Sequence, residues 1–518
     1  MNLLRAASTI SLLTLVSRIS GLARDVAVSN AFGASAWMDA FNVAFRIPNF
    51  LRRLFGEGAF QQAFVPILGE TRTCDGEAVT GALIDAVGTV LFWALILTCV
   101  VGVVAAPIMV FLMASGLKEF DGAVLMTRIM FPYIGLVSMV SLAAGILNTW
   151  KRFAVPAATP VLLNLTSIAA ALWLGPQFQR WGIQPIYAQA VGVMVGGIVQ
   201  LAIQLPVLRR IGVIPHIGLL PGRIRAAWSH PGVARVLRQM APALVGVSVA
   251  QVSILINTQI ATHQGVGAVS WLDWASRLME FPTGLLGVAL GIVLIPQLSA
   301  ANGRKDAAAY SGLLDWGLRL VMLLALPCSI ALLVFPTALI SVLFHHGAFD
   351  ALAVRQSAAA LMGYGAGLMG LVGVKILAPG FYARQDTRTP VKIAVVVLVL
   401  TQLMNAAFVP FLGHVGLALS ISVGAMINAL WLFIGLKRAS VYRPEPGWGG
   451  FTLRVGLATA LLGALLWWAE HHIDWIALGA HQWQRIGWVA LCLGGAALLY
   501  FGALALSGLK FGQFMRRG

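Results

Sequence analysis

Fourteen stretches of this chain are each apolar for the roughly 20 residues that carry a helix across a bilayer. They lie at about 9–30, 36–68, 80–112, 123–148, 156–175, 186–207, 240–262, 270–299, 312–342, 354–380, 390–410, 414–436, 452–469 and 486–507. Nothing between them is long enough to fold alone; the longest loop is 208–239. A water-soluble fold could not cover that much apolar surface. Charged residues are only 10% of the 518, against about 25% in soluble domains, and the mean hydropathy is +0.87. The expected class is an all-α polytopic membrane protein. Disorder, secretion and nucleic-acid binding are excluded as main themes. The first stretch carries Arg18 and Arg24 and lacks a cleavage site, so it reads as a membrane helix rather than a signal peptide. Four scattered cysteines with no CxxC pattern suggest neither disulfides nor a zinc site.

The charge is unusual for so apolar a chain. Lys and Arg number 35 and Asp and Glu 18, a net +17. Most of the cations fall in even-numbered loops: Arg72, Lys151, Arg152, Arg304, Lys305, Arg384, Arg388, Lys437, Arg438, Arg443 and the arginines of 208–239. Arg5 at the head and Lys510, Arg516 and Arg517 at the tail fall on the same side. Odd-numbered loops and their edges hold Lys118, Arg128, Arg180, Arg355 and Arg485. Positive charge marks the cytoplasmic side, so both termini are expected there, which requires an even number of spans. The 208–239 loop is expected to be a cytoplasmic, basic, amphipathic linker at the membrane surface.

The chain also repeats itself weakly. G-A-S-A-W-M-D at 33–39 resembles G-A-V-S-W-L-D at 267–273, an offset of 234 that Pro48 and Pro282 keep. Pro66 and Pro296, and T-P-V at 159–161 and 389–391, are offset by 230. The expected organisation is an N-terminal lobe over 1–208, the linker over 209–239, and a C-terminal lobe over 240–440. Two further helices follow over 441–518. Two six-helix lobes inserted in the same orientation are related by a pseudo-two-fold axis along the membrane normal, a transporter pattern with a site near the midplane.

Several charges lie within spans: Arg18, Arg24, Arg46, Arg52, Arg53, Arg277, Arg319, Lys375 and Arg454. A charge at a helix centre costs about 2.5–3.5 kcal/mol on insertion scales. Arg319 and Arg454, near helix ends, are expected to snorkel. In the second span Asp39, Asn42, Arg46, Asn49, Arg53 and Glu57 follow at spacings of 3, 4, 3, 4 and 4, one helical face bent by Pro48. In the eighth, Asp273, Ser276, Arg277 and Glu280 share a face. Guanidinium groups bind phosphate and carboxylate bidentately, so this set suggests a wet cavity for an anionic, diphosphate-bearing substrate. Structural ion pairing of the same acids and arginines is the competing account. No catalytic set emerges. The nine histidines lie almost wholly in loops, no metal-ligand spacing is present, and there is no Walker A motif.

These residues also carry a resemblance. R-I-P-N-F-L-R-R-L-F-G-E-G-A-F-Q-Q-A-F-V-P-I-L at 46–68 resembles the signature of the MurJ (MviN) family of lipid II flippases. S-R-I-S-G-L-A-R-D at 17–25, L-N-T-W-K-R-F at 147–153, S-R-L-M-E-F-P-T-G-L-L-G-V-A-L-G at 276–291 and A-P-G-F-Y-A-R-Q-D-T-R-T-P-V-K at 378–392 are similar to it too. The family belongs to the superfamily of multidrug and polysaccharide-lipid exporters.

The resemblance implies translocation of the undecaprenyl-diphosphate-linked peptidoglycan precursor from the cytoplasmic to the periplasmic leaflet of the bacterial inner membrane. The transport would run by alternating access, driven by membrane potential or an ion gradient. It implies substrate-binding roles for Arg18, Arg24, Asp39, Arg52 and Arg277. Arg46, Arg53, Glu57, Asp273, Glu280 and Lys375 are secondary candidates. Ser276 departs from the Asp often found there in the family, leaving Asp273 as a candidate counter-charge for Arg277. The last two helices are implied to line a groove for the lipid tail. The expected partners are lipid II and membrane lipids, with the chain working as a monomer. The sequence names neither a coupling cation nor a cell-wall-synthesis partner, and leaves both open. A flippase for another polyprenyl-diphosphate-linked glycan and a multidrug exporter are the alternatives. A polyprenyl-diphosphate enzyme would need acids or histidines clustered at the interface, and none are seen.

Overall fold

The computed structural model describes residues 3–52 and 59–509, and among them every regular element is helical. The expectations on Arg5 aside, those on Arg53, Glu57, Lys510, Arg516 and Arg517 fall outside the described residues. Two compact units form, residues 1–269 and 270–518.

In the first unit, α1 is Leu3–Phe32, α2 Ala36–Leu51 and α3 Ala59–Cys74. They are followed by α4 (Gly76–Ala114), α5 (Phe120–Met130), α6 (Tyr133–Thr149), α7 (Ala154–Ala169), α8 (Gly175–Arg180), α9 (Tyr187–Arg210), α10 (Pro221–Trp228) and α11 (Pro231–Thr262). In the second, α12 (Ala268–Pro282) begins at the unit boundary and leads through a π-helical turn to α13 (Ala289–Gly303). Then come α14 (Ala307–Val334), α15 (Pro336–Phe344), α16 (Ala351–Gly365), α17 (Leu368–Leu377), α18 (Pro379–Tyr382), α19 (Arg388–Leu412), α20 (His414–Arg438), α21 (Trp448–His472) and α22 (Gln482–Leu506).

Nine helices, or ten when the pair bent by 41° at α16–α17 is taken as one span, are long and apolar enough to cross a membrane among the described residues. Three of the expected spans outside that set, built from α1, α2/α3 and α12/α13, carry the aligned charges. Local signals explain the breaks. Gly33, at φ +59°, ends α1, and Ser35 then caps α2 by accepting from the Met38 N–H. Asp306 and Asp350 cap α14 and α16 in the same way. Prolines at the first turn open α11 and α15, where a missing N–H costs nothing.

The 208–239 linker is folded. Its chain runs along α4, where the Trp93 indole donates to Gly218 O at 2.9 Å and Gly218 N donates to Thr89 Oγ1 at 2.9 Å. Leu208, Ala227, Val233 and Val236 join the core made by α3, α4 and α6. Helix α11 continues from the linker and packs on α3 and α4 inside the first unit.

In the second unit α21 and α22 pair with each other and lie on α14 and α15 through Val455, Leu462, Leu466, Ala496 and Tyr500. The turn into α21 is held by one carboxylate. Asp315, only 1% exposed, accepts from Tyr442 Oη (2.8 Å), Trp448 Nε1 (2.7 Å) and Glu445 N (3.1 Å) on one oxygen and from Arg319 Nε (2.7 Å) on the other. Arg319, expected to snorkel, is instead turned into this joint and lies over the Trp448 ring. Removing one partner of a buried charged pair costs about 3–5 kcal/mol. Asp315→Ala is therefore expected to lower the thermal midpoint of the detergent-purified protein sharply, and Asp315→Asn less. An unchanged midpoint in both would overturn this role.

Candidate functional site

Helix α1 presents Arg18 exposed and Arg24 half-buried. The Arg24 guanidinium is clamped: Nε and Nη2 donate to Asp25 Oδ1 at 3.0 and 2.6 Å, and Nη1 donates to Asn164 Oδ1 at 3.1 Å. Asn164 belongs to α7 and is 6% exposed. Its amide nitrogen donates back to α1, to Ser17 O at 3.2 Å and Ser20 Oγ at 3.0 Å. The two helices are thus stitched by one amide, beside Gly21, where a Cβ would stand in ordinary contact with Asn164 at 3.6 Å. Sequence reasoning missed Asn164. The available signal was a lone amide in an otherwise apolar span.

The face predicted on α2 exists as far as the described residues run. Asp39 is buried at 4%, while Asn42, Arg46 and Asn49 are partly exposed below it. Arg52, off that face, turns back so that Nε donates to Asn49 Oδ1 at 2.9 Å. Arg52 also lines a cavity of about 460 Å³ inside the first unit, together with Gln61, Asn148, Thr159 and Gln200. Gln200 is 4% exposed; its amide nitrogen donates to Thr159 O at 2.8 Å, and its Oε1 finds no donor among the described residues. The uncharged lining beside this arginine, Gln61, Asn148, Thr159 and Gln200, was not foreseen.

Three contacts tie α2 and α4 to the end of α11 and the turn after it, all within the first unit. Gly267 N donates to Asp39 Oδ2 at 2.6 Å. Arg46 Nη1 donates to Thr258 Oγ1. Ser115 N donates to Gln259 Oε1 at 2.9 Å, and Gln259 Nε2 donates to Ser115 Oγ at 2.6 Å. The approach is close: a Cβ on Gly116 would sit 2.8 Å from Thr262 O. Asp39 was expected to bind substrate. The structure places it on a backbone N–H of this latch.

In the second unit Arg277 is exposed and faces Glu280 at 3.6 Å, with side chains 45% and 61% exposed. Such a loose pair is worth about 0–1 kcal/mol. Ser276 Oγ donates to Asp273 O at 2.9 Å, a local helical bond. Lys375 is exposed in the last turn of α17. Arg53 and Glu57 lie outside the described residues.

The burial of one loop-edge charge was not foreseen. Arg485 is fully buried on α22, with Nη1 at 3.1 Å from His345 Nδ1 and Nη2 donating to His345 O at 3.1 Å. Its Nη2 also lies 3.4 Å from His346 Nδ1. Burial first, then the Arg485 charge, hold both imidazoles below the ordinary histidine value of 6.5; Asp350 pulls the other way on His345. A depressed folded pKa means stability that is complete above the unfolded value and lost as pH falls through the folded one. Amide exchange over 345–350 and 473–485 should therefore quicken as pH drops below about 6.5, after correction for intrinsic rates. Constant protection down to about pH 5 would contradict it.

The arrangement matches known proteins. The family model described as lipid II flippase MurJ matches residues 28–482. A Burkholderia cenocepacia protein named lipid II flippase MurJ is 52% identical, over 100% of both chains. A Vibrio cholerae protein named probable lipid II flippase MurJ is 38% identical, over 93% of this chain and 92% of its own. Among solved structures, a lipid II flippase MurJ in an inward closed conformation superposes with a TM-score of 0.78 at 22% identity, covering 96% of this chain and 98% of the other. An inward-facing MATE family transporter of the MOP superfamily gives 0.65 at 14% identity, covering 84% and 98%. At those identities the structural likeness speaks to the fold. With a family model over most of its length and a full-length relative at 52% identity, this chain belongs to the MurJ family of lipid II flippases.

Proposed function

We propose that the chain is a lipid II flippase of the bacterial inner membrane, carrying the undecaprenyl-diphosphate-linked peptidoglycan precursor from the cytoplasmic to the outer leaflet. The observation that carries the reading is the 52% identity, over the full length of both chains, to a protein bearing that name. The chemistry agrees. Arg18, Arg24, Arg52 and Arg277 are guanidinium groups on the polar helices, suited to a diphosphate and to peptide carboxylates. Arg24 is pre-oriented by Asp25 and Asn164, so little side-chain entropy is lost on binding. Arg52 stands at a polar cavity that can take part of the sugar-peptide head.

Transport runs by alternating access. The latch of Asp39, Arg46 and Gln259 forms an outer gate that opens when the substrate leaves. Both termini then face the cytoplasm, as the loop cations require. An anion moving outward across an inside-negative membrane gains about 2.3 kcal/mol per charge per 100 mV, so membrane potential drives the cycle without a nucleotide site. The test is purified protein in vesicles with fluorescent lipid II on one leaflet and an inside-negative potential. Potential-dependent appearance of lipid II on the far leaflet is expected. No transfer of lipid II, with transfer of another polyprenyl-diphosphate glycan, would move the assignment to that substrate.

A further inference from the structure

A second cavity, of about 890 Å³, lies in the second unit where the α14–α15 junction, the first turns of α16 and the end of α21 meet. Its lining is graded. Near the helix ends stand Arg355, four residues into α16, and Asp474, just beyond α21. Met362, seven residues further along α16, lies about 10 Å deeper at 1.5 Å per residue, and Leu333 and Val334 share the apolar lining. Trp467, half exposed, stands on α21, and Trp468, Trp483 and Trp488 are also exposed around this end. Tryptophans gathered at helix ends mark the level of the bilayer interface.

The charges are of both signs. Arg355 is exposed and makes no hydrogen bond or ion pair with any described residue. Glu470 spends both oxygens on the N-terminus of α15, accepting from Thr337 N at 2.8 Å and Ala338 N at 3.3 Å. Asp474 engages one oxygen, Oδ1, with the backbone N–H groups of Ile476 and Ala477. Trp475, 2% exposed, also lines the cavity, and its indole N–H finds no acceptor among the described residues.

We propose that this cavity is a binding site for a phospholipid with a phosphoethanolamine head. Its phosphate pairs with Arg355, its primary ammonium faces Oδ2 of Asp474, and an acyl chain enters past Met362. An anionic glycerol head would leave Asp474 without a cation. A choline head carries a positive charge but no N–H to donate. On the topology read from the loop cations, the site opens to the outer leaflet. It does not depend on which substrate is flipped.

The test is native mass spectrometry of the full chain, delipidated and re-exposed to phosphatidylethanolamine, phosphatidylglycerol or phosphatidylcholine at equal mole fraction. One phosphatidylethanolamine is expected to be retained about fivefold over either competitor. Arg355→Gln, an exposed change that leaves folding intact, and Ala359→Trp, which fills the cavity, should each remove that preference without lowering the thermal midpoint. Equal retention of the three lipids overturns the proposal. So does preference for phosphatidylglycerol, which would signal an anionic occupant, or a preference that survives both substitutions. A chain that fails to flip lipid II yet retains phosphatidylethanolamine would sink the substrate reading and leave this one standing.

Discussion

Arg24→Ala is expected to bring lipid II translocation in vesicles close to background while the protein stays folded. The side chain is held by three hydrogen bonds from its own guanidinium, two to Asp25 and one to Asn164, with 20% of it exposed. A guanidinium so fixed presents its remaining N–H groups in one direction. Hydrogen bonds to charged groups are worth about 1.5–3 kcal/mol each, so losing one to the diphosphate lowers transport roughly 10–150-fold, and losing a bidentate pair lowers it further. Arg24→Lys keeps the charge and loses the planar fork, so it should recover part of the rate. Asn164→Ala tests positioning: the arginine remains but one of its orienting bonds is gone, and a smaller loss, about 3–10-fold, is expected. Full transport in Arg24→Ala would remove Arg24 from the substrate site.

Locking the latch is expected to stop transport altogether. In a variant lacking the four native cysteines, Ser115→Cys and Gln259→Cys together should be joined by a short, reducible thiol cross-linker, since the native side chains bond at 2.6 Å. Translocation should fall to background on cross-linking and return on reduction. Each single substitution should leave it near normal. Asp39→Asn acts on the same latch in the opposite sense. It removes the charge from the 2.6 Å bond to Gly267 N, weakening it by about 1–2 kcal/mol. That shifts an open–closed balance about 5–30-fold. A cysteine at position 259 should then react faster with an impermeant thiol reagent. Transport that survives the cross-link would mean that this contact does not open in the cycle.

The apolar stretches foretold the helices well because burial in lipid demands intrahelical hydrogen bonding of every backbone group. The expected 80–112 span is α4, Gly76–Ala114, and the expected 414–436 span is α20, His414–Arg438. Breaks were less legible. The single long span expected at 312–342 divides at Phe335 into α14 and α15, and that at 354–380 bends by 41°. The prolines visible there are tolerated in membrane helices wherever neighbouring groups satisfy the freed carbonyls, so a proline alone does not say whether a helix bends.

The candidate site divides in the same way. Arg18, Arg24, Arg46 and Arg52 could be picked out because an arginine at membrane depth is costly enough to require a reason. Their partners could not. Asn164, Thr258, Gln259 and Gln200 are uncharged, cost less to bury, and look like ordinary interhelical polar residues until the helices are assembled. The partners of Arg485 were hidden for the same reason. It stands at the start of a span, and two histidines from a distant loop enclose it.

What the sequence determined by itself was therefore the solvent of each segment and the sign of its charge. A multi-pass helical chain, the loops that gather its cations and the arginines that interrupt its apolar spans can all be read from single residues and short windows, the scale on which transfer free energies act. Tertiary structure decided which residues meet. That Asp39 takes a backbone N–H from Gly267, that Asp315 gathers four donors, and that Arg355 faces a cavity unpaired depend on contacts between residues up to 228 positions apart. No local window contains both partners of such a contact. Only the packing of helix on helix, where small residues such as Gly116 let backbones approach, brings them within hydrogen-bonding distance.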